Sequence, residues 1–365
     1  MAKQQLYIAG LGMVTAIGGN ADMTTTAVNA NISAYELSDF DSACGEPIKM
    51  ALVPDEIFDE IEVESNLTLD EGDRYNARHD RISIMATMAM QEACAGIKSD
   101  KSVPLLMAKS EYGYDQTELS SLTENLANNV ELWDSGDISR SIYSGRAAGF
   151  EAITMVFDYL YDAPHDYYIV GGSDSYFDDE LINQLANDGR LLHTNNPDGF
   201  VPGEAAGYLV LTSNPELALV KNGYMIALNP PGIADEVGHL NSDSPYKGEG
   251  LDDAFKKALI THQQKNISTI YSSMNGEHFW AKELGVAQLR NKPDFSEQVE
   301  IIHPAENFGD IGAATAPVLL ALAADDLWQD KQARCSLVYG SADNAKRGAI
   351  VIEKVLAKTI TASTD

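Results

Sequence analysis

The stretch SIYSGRAAGFEAI, residues 141 to 153, reads as a strand end, a tight turn of small residues and the start of a helix. A turn of this kind presents a nucleophile at a helix N-terminus, where aligned backbone dipoles and free N–H groups favour a thiolate or an alkoxide. The residue in that seat is Arg146, which attacks nothing. Two residues earlier, Ser144 carries a hydroxyl that becomes a nucleophile only if a base reaches it. His278 and His303 are the candidate bases, and each also fits an ordinary surface or loop histidine. There is no HExxH, no phosphate-cradling glycine loop and no convincing metal-ligand spacing, so no cofactor and no metal are expected.

The elements that must position these groups can be read from apolar periodicity. LYIAGLGMV reads as a strand, and residues 80 to 97 as a helix with Ile82, Met85 and Met88 or Ala89 on one apolar face. Its methionines are core filler, and Cys94 within it is a core thiol. VPLLMAKS and SIYSG follow as strands, 147 to 162 as a helix, DYYIVGGSDS as a strand ending on Gly171-Gly172, and AAGYLVLTS as a closing strand. The second half repeats the order without repeating the sequence: strand 223 to 228, helix 251 to 264, strand STIYSS, a helix after Gly276, strand VEII, an apolar helix from about 312, then CSLVYGS and GAIVIEK. Alternation of this kind implies mixed α/β layers. GAATAPVLLALAA, 312 to 324, is apolar nearly all round and should be buried between sheets, with Pro317 tolerated near its first turn. The stretch 229 to 248 is the linker or loop candidate between halves 1 to 215 and 216 to 365.

Composition narrows the function class. The 365 residues are 44% apolar and 22% charged, which suits a globular chain with a large core. Lys plus Arg number 25 against 55 Asp plus Glu, and a net charge of -30 repels nucleic acid and anionic lipid. No basic run exceeds Lys256-Lys257 or Lys346-Arg347. Cys44, Cys94 and Cys335 are odd in number and form no CxxC, which fits a reducing compartment better than a disulfide framework. No signal-peptide core and no apolar run near about 18 residues is present, so a cytoplasmic, soluble protein without membrane contact is expected. The acidic runs PDEIFDEIEVES and LDEGD, within 54 to 73, read as a solvated face or loop.

At GLGMVTAIG (10 to 18), DYYIVGGSD, DGFVPGEAAGYLVL (198 to 211) and GAATA (312 to 316), the chain resembles the β-ketoacyl synthases of the thiolase superfamily. The matches run in order along nearly the whole chain. The resemblance implies an α/β thiolase-like fold, with two similar βαβ halves in a five-layered αβαβα arrangement. It also implies where the family's reactive groups belong: an acyl-accepting Cys at the position of Arg146, and two His at the positions of Asn275 and Gly309. A glycine loop lending an oxyanion-hole N–H would match SADNAKR, 341 to 347, which keeps none of those glycines. Removing even one oxyanion-hole donor typically costs about 2.7 to 4 kcal/mol of transition-state stabilisation. The resemblance thus implies a degenerate synthase with no catalytic residues at the family positions. Glu204 and Asp174 lie in matched motifs and read as architectural.

A cation at a helix N-terminus is unfavourable by about 0.3 to 1 kcal/mol when exposed, so something else should hold Arg146. Its guanidinium can run out to solvent, fill the ancestral acyl cavity and pair with Asp310, Asp174 or Glu204, or bind an anion. The leading functional reading is a non-catalytic synthase homologue acting as a binding, assembly or adaptor protein, a homodimer or a heterodimer with another thiolase-fold protein. In the resembled family, subunits join through a strand just before the turn, here DISRSIY. One alternative is a chain-length-factor-type partner of an active synthase. Others are an adaptor for a protein partner outside lipid metabolism, and an acyl-thioester transferase or hydrolase that uses Ser144 or His278. NGEHFWAKELG, 275 to 285, matches no synthase motif and is a candidate for new function.

Overall fold

The computed structural model describes residues 5–42, 45–58, 77–112, 122, 126, 130, 139–162, 164–261 and 266–357. Cys44, residues 59 to 65 of the first acidic run, the second run and the first two residues of DISRSIY lie outside these. In chain order the first half comprises β1 (Leu6–Thr15), α1 (Ala21–Asn29), β2 (Glu36–Asp41), β3 (Pro47–Met50), α2 (Asp55–Phe58), α3 (Arg78–Cys94), β4 (Leu105–Ala108), β5 (Arg140–Ile142), α4 (Ala148–Asp162), β6 (Tyr168–Ser175), α5 (Asp179–Asn187) and β7 (Glu204–Thr212). The second comprises β8 (Tyr224–Leu228), β9 (Gly232–Asp235), α6 (Gly250–Thr261), β10 (Ile267–Tyr271), α7 (His278–Arg290), β11 (Phe295–Ile302), α8 (Ala305–Phe308), α9 (Thr315–Gln329), β12 (Cys335–Ser341) and β13 (Lys346–Leu356).

The strands run β11-β10-β12-β13-β8-β1-β7-β6-β4-β5, with β9 added to β13. Each half uses one pattern. In the first, β1 is antiparallel to β7 and β7 to β6, while β4 is parallel to β6 and β5. In the second, β8 is antiparallel to β13 and β13 to β12, while β10 is parallel to β12 and β11. A short antiparallel contact, Leu6 with Leu228 and Tyr7 with Ala227, joins the halves. α3 covers the outer face of β1, β7 and β6, and α6, with α7 packed against it, covers that of β13 and β9. α4 and α9 lie between the two half-sheets, which completes five layers, αβαβα.

Strands covered on both faces lose the alternation of a half-exposed strand, and β6, β7 and β12 are buried at every residue. α9 is buried along nearly its whole length because it is the innermost layer, and Pro317 is its third residue, where no intrahelical N–H is required. A Cβ on Gly149 of α4 would stand 2.6 Å from Cβ of Ala316, so the two central helices cross where one has no side chain. Met85, Met88, Met90 and Cys94 of α3 are core, and burial pushes the Cys94 thiol up to about 12.

Several boundaries differ from the sequence reading. β6 does not end on Gly171-Gly172 but continues to Ser175, held to β7 through the Ser175 and Glu204 register pair. The stretch 229 to 248 contains β9. α1, the β2–β3 hairpin and α5 were not expected. Among the described residues, no helix is long and apolar enough to cross a membrane.

Candidate functional site

The turn that carries Arg146 hangs from the end of the sheet. Lys109 N–H donates to the Ile142 carbonyl at 2.8 Å, and Gly145 N–H to the Lys109 carbonyl at 3.1 Å. Gly145 then adopts φ +49°, a left-handed value open to glycine, and a 3-10 turn, Gly145–Ala147, leads into α4. A second 3-10 turn, Gly312–Ala314, opens α9 with Gly312 also at φ +49°, and the two turns are in contact.

The Arg146 side chain is 4% exposed and held on three sides. Nη1 pairs with Oδ2 of Asp310 at 2.5 Å, Nη2 with Oδ1 of Asp343 at 2.5 Å, and Nε donates to the Ser341 carbonyl at 2.8 Å. Its guanidinium carbon lies 4.6 Å from the centroid of the Trp280 ring, within cation–π range. Burial alone would favour the neutral guanidine, but Asp310 and Asp343 outweigh it and keep the group charged.

Each carboxylate is shared. Asp310 Oδ2 also accepts from Asn275 Nδ2 at 2.8 Å, and its Oδ1 from Gly312 N–H at 2.9 Å. Asp343 Oδ2 accepts from Arg190 Nη1 at 2.7 Å and from the Tyr112 hydroxyl. Arg190 in turn forks onto Glu277, Nε to Oε1 at 2.9 Å and Nη2 to Oε2 at 2.7 Å. Glu277 Oε2 accepts from Trp280 Nε1 at 2.9 Å. Glu111 receives the backbone N–H groups of Asp343 and Asn344 at 2.8 and 3.1 Å, and its Cγ lies 3.0 Å from where a Cβ would stand on Gly145. The turn is therefore lidded by a carboxylate, and the β12–β13 loop amides are already used. Lys109, buried beneath the turn, is pushed down to about 7 by burial, with Asp174 acting against that shift.

Of the residues singled out from the sequence, Arg146, Asn275 and Asp310 come together. Gly309, next to Asp310, has φ +71°. Asp174 takes Arg78 Nη2 at 3.0 Å and Ala313 N–H at 2.9 Å, and Glu204 takes the Arg81 guanidinium at 2.6 Å, so both brace the surrounding strands away from Arg146. The Ser144 hydroxyl donates to Glu151. His278 has an 82% exposed side chain and pairs with Asp198 at the surface, outside the cluster. His303 lines a cavity of about 220 Å³ that also reaches Asn275.

Sequence reasoning missed Asp343, Arg190, Glu277, Trp280, Glu111 and Tyr112. One face of the segment NGEHFWAKELG turns inward: Asn275, Glu277 and Trp280 join the Arg146 cluster, and Glu283 takes buried Arg347 at 2.7 Å. Its one available signal was the acid-aromatic spacing Glu277 to Trp280, which no general rule ties to a distant Arg.

The network sets a pH response. Burial acts to raise the Asp343 pKa, but Arg146 and Arg190 outweigh it and hold the carboxyl well below its usual 3.8. A depressed folded-state value gives stability that is present above the unfolded value and lost as pH falls through the folded one. Glu111 runs the other way: burial, then Asp343, raises it above 4.5, so its contribution is present below that value and lost as pH rises. The unfolding free-energy gap between the native chain and Asp343→Asn is accordingly expected not to shrink between neutral pH and about pH 4 and to close only in stronger acid. Denaturant titrations across pH measure this, and a gap that closes above pH 5 contradicts it.

The sequence matches no family model, and no curated protein matches it. Solved structures do match. The ishigamide ketosynthase/chain length factor superposes with TM-score 0.73 at 16% identity, over 96% of this chain and 99% of that one. The fold is that of a ketosynthase. A ketosynthase from module 6 of the Bacillus subtilis bacillaene synthase gives TM-score 0.74 at 14% identity, covering 96% of this chain and 72% of that one. A ketosynthase in complex with its chain length factor from Xenorhabdus doucetiae gives 0.68 at 16%, covering 96% and 98%. On this ketosynthase fold the turn that carries Arg146 lies at the meeting of the two halves, between the central helices.

Proposed function

We propose that this chain is a non-catalytic, chain-length-factor-like partner protein built on the ketosynthase fold, with halves 1 to 215 and 216 to 365 as the units of its internal duplication. In this reading Arg146 stands where the resembled synthases carry their acyl-accepting Cys, and Asn275 and Gly309 where they carry His. The observation that carries it is the engagement of all three guanidinium nitrogens of Arg146 by Asp310, Asp343 and the Ser341 carbonyl in a buried seat. Covalent catalysis needs a nucleophile with a base in reach, and oxyanion stabilisation needs free donors. Here the seat holds a cation, and Glu111 has taken the amides of Asp343 and Asn344 in the β12–β13 loop.

A partner role is supported by what remains. Among the described residues β5 is the terminal strand of the sheet, and Tyr143 beside it is 51% exposed. The last strand of a sheet is where one sheet can extend into a second subunit. Two of the similar structures are of a ketosynthase and a chain length factor. An adaptor role outside lipid metabolism uses the same surface. The transferase or hydrolase reading has less behind it, because the Ser144 hydroxyl meets Glu151 and the His278 ring meets Asp198.

The test has two arms. Material purified from its own host and sized by chromatography with mass measurement is expected as a dimer, with a Cys-containing synthase as the co-purifying subunit. Thioester condensation is expected to be undetectable in the chain alone and equally so in Arg146→Cys, since a restored thiol still lacks a base and an oxyanion hole. A single Arg146→Cys variant that condenses acyl thioesters, or a monomer in every preparation, overturns the proposal.

A further inference from the structure

Between α5 and β7 the chain leaves the fold and returns to the point it left. Phe200 N–H donates to the Arg190 carbonyl at 2.8 Å and Leu192 N–H to the Phe200 carbonyl at 2.9 Å, and the two arms cross where a Cβ on Gly199 would stand 2.2 Å from the Leu191 carbonyl carbon. A surface loop closed at its own neck is an Ω-loop. The neck is fixed: Leu191 and Phe200 are each 1% exposed and pack with Leu181 and Leu185 of α5, and Arg190 is forked onto Glu277. The tip is bonded to itself. Asn196 N–H donates to the His193 carbonyl at 2.9 Å, and Asn196 Nδ2 to the carbonyls of Gly189 and Leu191 at 2.7 and 3.0 Å. Residues 192 to 199 are therefore a compact body on a fixed neck.

What holds this body down is weak. Among the described residues, its hydrogen bonds and ion pairs to other elements go to two places. Asp198 accepts from His278 N–H at 2.7 Å and pairs with that ring, but the two side chains are 52% and 82% exposed and water screens such a pair. Asn195 Nδ2 reaches Oε1 of Glu46, just before β3, only at 3.5 Å, the long limit of a hydrogen bond. Glu46 Oε2 lies 3.8 Å from His193 Nδ1 and is buried without a hydrogen-bond partner. His193 Nδ1 itself accepts from Asn195 N–H at 3.3 Å, so in that tautomer it has no proton to give, and the closed contact leaves a carboxylate oxygen that water satisfies once the body lifts. The body also forms part of the 220 Å³ pocket, through Leu192, Pro197 and Gly199, and the remaining walls include Met274 and Asn275. Asn275 leads to Asp310 and so to Arg146.

We propose that residues 192 to 199 are a hinged flap that swings on the Arg190–Phe200 neck, latched by the Glu46 and Asp198–His278 contacts, and that its opening widens the route to Asn275. This does not depend on the partner role proposed above. Nitroxides placed on the full chain at two exposed positions, Thr194→Cys on the flap and Asp39→Cys on β2, in a Cys44→Ser background, report the flap position by pulsed dipolar spectroscopy. Two separations are expected, a dominant short one and a minor long one. Glu46→Ala/Asp198→Ala releases both latch contacts at side chains that are 43% and 52% exposed, so it should fold normally, and it is expected to raise the ratio of long to short at least tenfold. Maleimide should modify Met274→Cys faster by a similar factor when the same pair is substituted, against a background in which Cys94 and Cys335 stay buried. A control pair on exposed positions elsewhere, Glu180→Ala/Glu216→Ala, should move neither reading. A single separation that releasing the latch leaves unchanged, a broad continuum of separations in the native chain, or a flap that opens without speeding the reaction at Met274→Cys each overturn the proposal.

Discussion

Arg146→Met is expected to lower the free energy of unfolding by about 3 to 5 kcal/mol, the range for breaking a buried ion pair from one side. The size follows from what is left behind. Asp310 and Asp343 are each 3% exposed or less, and the substitution strips the principal cation from the first and one of two from the second. Asp310 would keep only Asn275 and the Gly312 amide, neither of them charged. Arg146→Lys should recover little, since a single ammonium cannot reach two carboxylates and the Ser341 carbonyl in the plane that a guanidinium spans. Arg146→Met/Asp310→Asn is expected to cost less than the sum of the two single changes, because the first already forfeits what the second removes. Guanidinium titrations give all four values. A loss below about 0.5 kcal/mol in Arg146→Met, the level of an ordinary surface change, would mean that the ion pairs do not hold the site together.

Gly309→Ala is expected to cost about 2 to 4 kcal/mol, and Gly309→His no less. With φ +71° and ψ -169°, Gly309 sits in a backbone region that side chains essentially never enter, which alone costs on the order of 1 to 3 kcal/mol. A Cβ there would also stand 2.6 Å from the Val201 carbonyl, a backbone atom that Asp310 N–H holds in place at 2.8 Å. The comparison matters because the resemblance assigns this position to a histidine. Reinstating it would require the 201 to 203 segment and the α8 exit to move together. A Gly309→His variant with native melting temperature would show that the loop already has that freedom, and the account of this turn would fall.

The fold was legible because its motifs are packing constraints. GFVPGEAAGYLVL is the entry to β7, where a Cβ on Gly207 would stand 2.8 Å from the Val318 side chain of α9, so the string records how close a central helix comes to a strand. The turn before α4 was legible for the same reason. What surrounds Arg146 was not. Its partners lie 164 and 197 residues away, and the Arg190 pairs span 87 and 153, separations at which neither periodicity nor spacing carries information. In the missed hairpin, β2 carries Glu36, Asp39 and Asp41, poor strand formers, and β3 opens on Pro47. α5 had a readable start that went unused: Asp178 caps it by accepting from Leu181 N–H at 2.7 Å, ahead of the buried Leu181, Ile182 and Leu185.

Arg146, on the turn after Gly145, belongs to the first half of the fold, while Asp310, just before the Gly312 turn, and Asp343, in the β12–β13 loop, belong to the second. The contact is a clasp whose hook and eye were made by different repeats. Pulling the two halves apart would strand opposite charges on both faces, so the buried charges that each half brings to this contact are neutralised only by the other.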